Sequence, residues 1–562
     1  MHIRYSFKKS MNNPKTVFFI GGILASLFFL YLYGTSVLNP TYDGWLYNGT
    51  NRSDLILHYY GWRFYRKSEW CFPLGMIDGI TYPNKLSIIY TDSIPIFALF
   101  FKILSPLLPD TFQYIGIFGL VSFFLLGGFS SLCIYSITMD SCYSLVTSLL
   151  FDSSIIFLMR VFYHSALSAQ WLIVASIHIF INKELKWSTR KSVCAWGILS
   201  VLAISIQAYF YPMVFGILFC SQINYLIRNK VSKKTLTRII MVIFGSVLLC
   251  LFSGWILGFW DSSVSGAGNG LGMFSFNYNS FFNTFGYTRL FNPLPALSFW
   301  QYEGYCYLGL GLYLILIFSS LFFIFNNKKS RIIIKRISWV KMIPVLVYVI
   351  CFTAFAAGPL FSFGSICIDY NLPSAIIKLW SYFRSTGRFI WPVAYLFMLF
   401  ICCFTYQVFN NKRLAYILVC FAVCVQLIEN YPYFVSVKDH YKVTDYKYIS
   451  TLKDPLWECV AEECEHIVFY PDTSKFYTDY YCQSQAQELM IFAEKNDMTT
   501  NTNFICRDTS TVVNTDVYKL FEENDSLDDK TVYVFIDEIP KNANELYYYY
   551  LDDILIGLKH PL

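Results

Sequence analysis

The chain has 562 residues, of which 56% are hydrophobic, 20% aromatic and only 14% charged, and its formal net charge is +6. So apolar a composition excludes an ordinary soluble domain and indicates an integral membrane protein. The basic residues fall mostly in short clusters between apolar runs, as cytoplasmic anchors do, so the positive balance does not point to nucleic acid.

Residues 1–15 are polar and basic, and an apolar stretch of helical length follows at 16–38. No small-residue cleavage motif stands out and many apolar runs follow, so this stretch reads as a retained first helix with a cytoplasmic N-terminus. Further spans are expected at 113–137, 143–160, 165–181, 193–208, 210–227, 238–259, 305–325, 339–358, 389–409 and 413–429. With the first, that makes about eleven transmembrane helices of roughly 20 residues each.

The fragment 94–108 is apolar but short and carries Pro95, Lys102 and Pro106. If it does not cross, the clusters Lys183/Lys186/Arg190/Lys191, Arg228/Lys230/Lys233/Lys234, Lys328/Lys329/Arg331/Lys335/Arg336 and Lys412/Arg413 all fall on the cytoplasmic side. If it does cross, they all flip outside, against the positive-inside rule. It is therefore expected to lie along the outer membrane surface. Four segments then face outward: the loop 39–112, the loop 260–304, the stretch 359–388, and everything after 430.

The expected organisation is a transmembrane domain over 1–429, with its first extracytoplasmic loop at 39–112, and a soluble extracytoplasmic C-terminal domain over 430–562. Runs such as HIVFYP (466–471) and TVYVFID (531–537) suggest buried strands of a small α/β domain. Most of the 17 cysteines lie in apolar runs as small hydrophobes. Cys459, Cys464, Cys482 and Cys506 sit in the polar tail, and spacing does not choose among their pairings.

The outer segments carry the candidate chemistry. In the first loop, Asp54, His58, Trp62 and Arg66 recur at helical spacing within SDLILHYYGWRFYR. A carboxylate such as Asp54 suits activation of an acceptor hydroxyl; it also fits a helix cap, with Ser53 beside it. Asp92, in YTDSIP, matches an N-cap of the following short helix with Pro95 in its first turn, and capping would also fix its carboxylate near the membrane surface. The glycines of 265–272 match no phosphate-loop spacing and read as a flap, while Arg289 and Glu303 are candidate sugar or phosphate contacts. Arg384 and Arg388, one turn apart in SYFRSTGRFIWP, suit a phosphate that guanidinium groups grip in a fork; they also match snorkelling interface residues. The glycosylation pattern at Asn48 and Asn51 occurs readily by chance.

The runs SDLILHYYGWRFYR, SIIYTDSIPIFALFFKILSPLLPDTFQYIG, YEGYCYLGLG and FRSTGRFIWP resemble a poorly characterised group of bacterial GT-C-like membrane proteins, within the GT-C superfamily of polyprenyl-phosphate-sugar-dependent glycosyltransferases. The resemblance covers about 16–430. It implies a lipid-phosphate-linked sugar donor, transfer at the outer face of the cell membrane, and a cell-surface glycan or lipid-linked acceptor. It also implies that the acidic residue of the first loop, Asp54 here, is catalytic. The adjacent acidic pair of several branches is missing, since Leu55 follows Asp54, so a divalent metal is left open.

The expected protein is thus an inverting membrane glycosyltransferase, with Asp54 and Asp92 catalytic and His58, Trp62, Arg66, Arg289, Glu303, Arg384 and Arg388 contacting substrate. The rivals are a transporter or flippase of lipid-linked glycans and a non-catalytic cell-envelope assembly protein. A transporter places ionisable residues within its spans; here only Asp152 and Arg160 come near that.

Overall fold

The computed structural model describes residues 13–47, 52–182, 187–260, 271–336, 338–441, 446–470, 480–501, 521, 527–536, 539–540, 543 and 545–562. The chain divides into two compact units, one of 1–40, 114–252 and 270–443, the other of 41–113, 253–269 and 444–562.

The first unit is helical. Among the described residues of the chain, seven helices are long and apolar enough to cross a membrane: Pro14–Tyr33, Ile115–Thr138, Thr189–Ile206, Phe210–Arg228, Lys233–Ile256, Thr386–Val408 and Lys412–Tyr441. Three apolar helices are shorter, Ser165–Ile181, Leu310–Phe325 and Met342–Ala357. The expected run at 143–160 does not form one span: the helix Ser141–Asp152 ends at Ser153, and a separate turn follows at Ile155–Leu158. Its 12 residues reach only ~18 Å, against a hydrocarbon core of ~30 Å.

Small residues let the first two long helices pack closely. A Cβ on Gly21 would stand 2.6 Å from the carbonyl oxygen of Gly127, so the backbones meet where any larger residue would hold them apart. Phe19, Ile23 and Leu27, on the other side of the first helix, are exposed, as contact with acyl chains requires.

The second unit is α/β. Its five-stranded sheet runs in the order Thr499–Thr500, His466–Tyr470, Thr531–Phe535, Ile554–Leu558, Tyr547–Leu551. The first three strands are parallel and the last two join antiparallel, as the buried runs HIVFY and TVYVF suggest. Val468, Phe521, Tyr533, Phe535 and Leu546 form one core cluster.

The first loop, 41–113, belongs to this unit. The antiparallel hairpin Met76–Thr81/Asn84–Ser87 joins the tail through the Tyr82 amide, which donates to the Thr500 carbonyl at 3.0 Å. Tyr82 also stacks on His466, ring centroids 4.0 Å apart. The helix Arg52–Lys67 is pinned to the helix Tyr480–Lys495: Arg63 Nε donates to Glu494 Oε1 at 2.8 Å, and Lys67 Nζ lies 3.0 Å from the same oxygen. The last span runs on to Tyr441, past the expected boundary at 429.

The fragment 94–108 folds as the nine-residue helix Pro95–Ile103 followed by a 3-10 turn at Ser105–Leu107. At ~1.5 Å per residue it is too short to cross. Phe100, Ile103 and Leu107 are exposed, whereas Lys102 turns inward, its ammonium 4.2 Å from the centre of the Tyr65 ring and 4.7 Å from that of Trp70. Burial pushes this ammonium down to about 8. Cys459 and Cys464 are free thiols. The side chains of Cys482 and Cys506, the sequence 48–51 and most of the glycine-rich flap lie outside the described residues.

Candidate functional site

In the helical unit the chemistry converges on Glu303. This residue sits on the 3-10 turn Phe299–Gly304, which Ser298 caps by accepting from the Trp300 amide at 3.1 Å. Arg388 sits on a second 3-10 turn, Thr386–Ile390. Gly387 brings the two turns together: a Cβ there would lie 2.8 Å from both the Gly304 nitrogen and the Phe274 carbonyl oxygen.

Arg388 then grips Glu303 in a fork, Nε to Oε2 at 2.7 Å and Nη2 to Oε1 at 3.0 Å. Arg160 adds a second guanidinium, with Nη2 3.0 Å from Glu303 Oε2, and His164 Nε2 lies 3.9 Å from Oε1. The Arg160 side chain is 0% exposed, Glu303 2% and Arg388 9%. Aromatic faces flank the cations, Tyr302 and Trp391 beside Arg160 and Tyr209 beside Arg388.

Burial alone would raise the Glu303 carboxyl, but Arg160 and Arg388 hold it well below the usual carboxylate range. Two guanidinium groups against one carboxylate leave an excess positive charge away from water. Among the described residues, Nε and Nη1 of Arg160 have no hydrogen-bond partner, nor has the Thr386 hydroxyl. Buried donors in that state suit an anion. Arg384 lies with its guanidinium 4.6 Å from the centre of the Phe274 ring, its Nε also without a hydrogen-bond partner.

The structure therefore brings Glu303 and Arg388 together, but as partners of each other. Arg289 lies on an exposed stretch and joins none of these ion pairs. Arg160 and His164 were not among the expected site residues. Two ionisable groups four residues apart in an otherwise apolar run were the signal for them.

In the α/β unit, Asp54 is in the first turn of Arg52–Lys67, half-buried, with His58 one turn on. His58 Nε2 lies 3.9 Å from Asp92 Oδ2, both side chains buried. Asp92 is not the N-cap of the short helix. It closes the 3-10 turn Ile88–Thr91 with φ 54°, and Ile94 occupies the cap position. Gly61 permits the approach, since a Cβ there would meet Thr91 and Ser93 at 2.5 Å. The Ser93 hydroxyl donates to the His58 carbonyl at 2.6 Å, tying this turn to the helix. Burial lowers the His58 imidazole from its ordinary value and outweighs the opposite pull of Asp92, so the ring is neutral near pH 7.

Two expected substrate contacts are engaged in hydrogen bonds within the protein. Trp62 is buried and its Nε1 donates to the Phe112 carbonyl at 3.1 Å. Arg66 closes on the loop after the short helix, donating to the carbonyls of Ser105 at 3.1 Å, Leu108 at 2.6 Å, Pro109 at 2.6 Å and Asp110 at 3.3 Å, and to Ser105 Oγ at 2.6 Å. Helical spacing set both residues at four-residue intervals after Asp54 and His58; the carbonyls that claim them lie about 40 to 50 residues away. Arg66→Ala is expected to lower thermal stability by about 2–3 kcal/mol through the orphaned carbonyls. Thermal unfolding in detergent checks this.

These features define a polytopic helical membrane protein with an attached α/β unit and a buried guanidinium-carboxylate cluster. The chain belongs to the family described as Domain of unknown function (DUF6311), whose model matches residues 22–430, and the DUF6311 C-terminal domain matches 456–559. No curated protein matches it.

Proposed function

We propose that the protein is a GT-C-type glycosyltransferase, moving a sugar from a polyprenyl-phosphate-linked donor to a cell-surface glycan or lipid-linked acceptor at the outer face of the membrane, with inversion. The observation that carries this reading is the buried excess of positive charge around Glu303, with unpaired donors on Arg160. In the transfer, the acceptor oxygen forms a bond to the anomeric carbon as the bond from that carbon to the phosphate oxygen breaks. The electron pair leaves on the phosphate, where guanidinium donors stabilise it. Arg160 and Arg384 are the groups with donors to offer; Arg388, held by Glu303, positions Arg160 through the shared carboxylate.

The acceptor proton needs a base. Asp54, with the neutral His58 and Asp92, supplies candidates for that step. His58 Nε2 and Asp92 Oδ2 are donors that a divalent metal could take up, and no step is routed through one.

Membranes containing the protein, supplied with radiolabelled polyprenyl-phosphate sugars, test the reading. Wild type is expected to transfer label and Asp54→Asn to lose almost all transfer; equal transfer removes Asp54 from the mechanism. One observation favours a transporter: Asp152 is fully buried, and neither carboxylate oxygen has a hydrogen-bond partner among the described residues. Uptake of the labelled lipid without transfer would select that alternative.

A further inference from the structure

A cavity of about 730 Å³ opens in the helical unit between the first turns of Thr189–Ile206 and Lys233–Ile256. Arg190, Lys233, Lys234 and Arg238 line it, and among the described residues no carboxylate does. Neither helix carries an acidic residue in its first turn, so two unopposed helix N-termini add to the positive field.

Arg238 is a fixed element of this cavity. Its side chain is buried, donates to the Trp187 carbonyl and, at 2.8 Å, to Ser192 Oγ, and its guanidinium lies 4.1 Å from the centre of the Tyr225 ring. Arg190, Lys233 and Lys234 are exposed and free to close on a ligand from the rim. The remaining lining is largely apolar, and Met241, Phe244 and Leu248 continue it as an exposed stripe along the same helix.

A cationic rim over apolar walls, opening onto a lipid-facing stripe, matches one kind of molecule in both parts. We propose that this cavity binds an anionic phospholipid of the surrounding bilayer, its headgroup phosphate among Arg190, Lys233, Lys234 and Arg238 and its acyl chains along Met241, Phe244 and Leu248. A soluble phosphate would satisfy the rim and leave the apolar walls unused. This site is separate from the Glu303 cluster. The helix Thr189–Ile206 is 18 residues long, and Tyr209, whose ring meets Arg388, lies just past its far end; that is a separation of about 27 Å.

The test uses the full chain in nanodiscs of phosphatidylcholine doped with phosphatidylglycerol, released into detergent and weighed by native mass spectrometry. Wild type is expected to retain phosphatidylglycerol over phosphatidylcholine by on the order of tenfold, and Arg190→Gln/Lys233→Gln/Lys234→Gln to lose that preference. All three positions are exposed, and an unchanged thermal midpoint of the variant in pure phosphatidylcholine confirms an intact fold. Wild type without a preference, or a variant that keeps it, overturns the proposal. Displacement of the bound lipid by glycerol phosphate in the buffer also overturns it, in favour of a soluble anion. Neither result depends on glycosyl transfer.

Discussion

Glu303→Gln is expected to destabilise the protein by about 3–5 kcal/mol, read as a lower apparent unfolding midpoint in detergent, and, on the proposed function, to abolish transfer. Among the described residues the Glu303 carboxylate is the group that offsets Arg160 and Arg388, and its loss leaves two buried guanidinium groups beside each other. Asp is not a conservative substitute, because one methylene less takes the carboxylate out of the fork that Arg388 forms. The pH dependence has a definite sign. The Glu303 carboxyl is held below its ordinary value of 4.5, so its contribution is complete above that pH and is lost progressively below it. An unfolding midpoint in Glu303→Gln equal to wild type at neutral pH would show that the cluster does not hold these turns together.

Asp92→Asn has the second large effect expected of the proposed transferase, a fall in transfer on the order of 100-fold with binding of the proposed lipid-phosphate donor unchanged. Asp92 is positioned by an unusual backbone, with φ 54°, and by the close approach at Gly61, and its carboxylate is oriented on His58 rather than on a helix end. Burial already holds the His58 imidazole below 6.5. Stability linked to it is therefore present above 6.5 and is lost as the pH falls below that value. Removing the opposing carboxylate lowers the imidazole further, so the acid limb of the residual transfer rate should move to lower pH. A pH profile of transfer for both proteins checks this, and a limb that stays in place would uncouple His58 from Asp92.

The sequence made some of this legible and hid the rest for identifiable reasons. Composition was enough for the membrane class, and the apolar runs in the tail became the strands His466–Tyr470 and Thr531–Phe535. Glu303 and Arg388 stood out as charges among aromatics, but their pairing across 85 residues depends on Gly387 letting two turns touch, which no local pattern encodes. The N-cap expected of Asp92 failed because Asp92 and Ile94 both adopt positive φ, a conformation that YTDSIP does not announce. Arg160 was legible only as a charge near the end of an apolar run, and its place beside Glu303 was not, since the chain in fact breaks after Asp152.

The bond from Arg63 to Glu494 joins residues 431 positions apart. A ribosome adding roughly 5–20 residues per second needs somewhere between about twenty seconds and a minute and a half to cover that interval. Throughout it the early segment has been made while the helix that neutralises Arg63 and Lys67 has not. Biogenesis of the α/β unit is thus a late event imposed by gene order, and a nascent chain stalled after its last hydrophobic helix would display an unfinished loop for quality-control proteases to find.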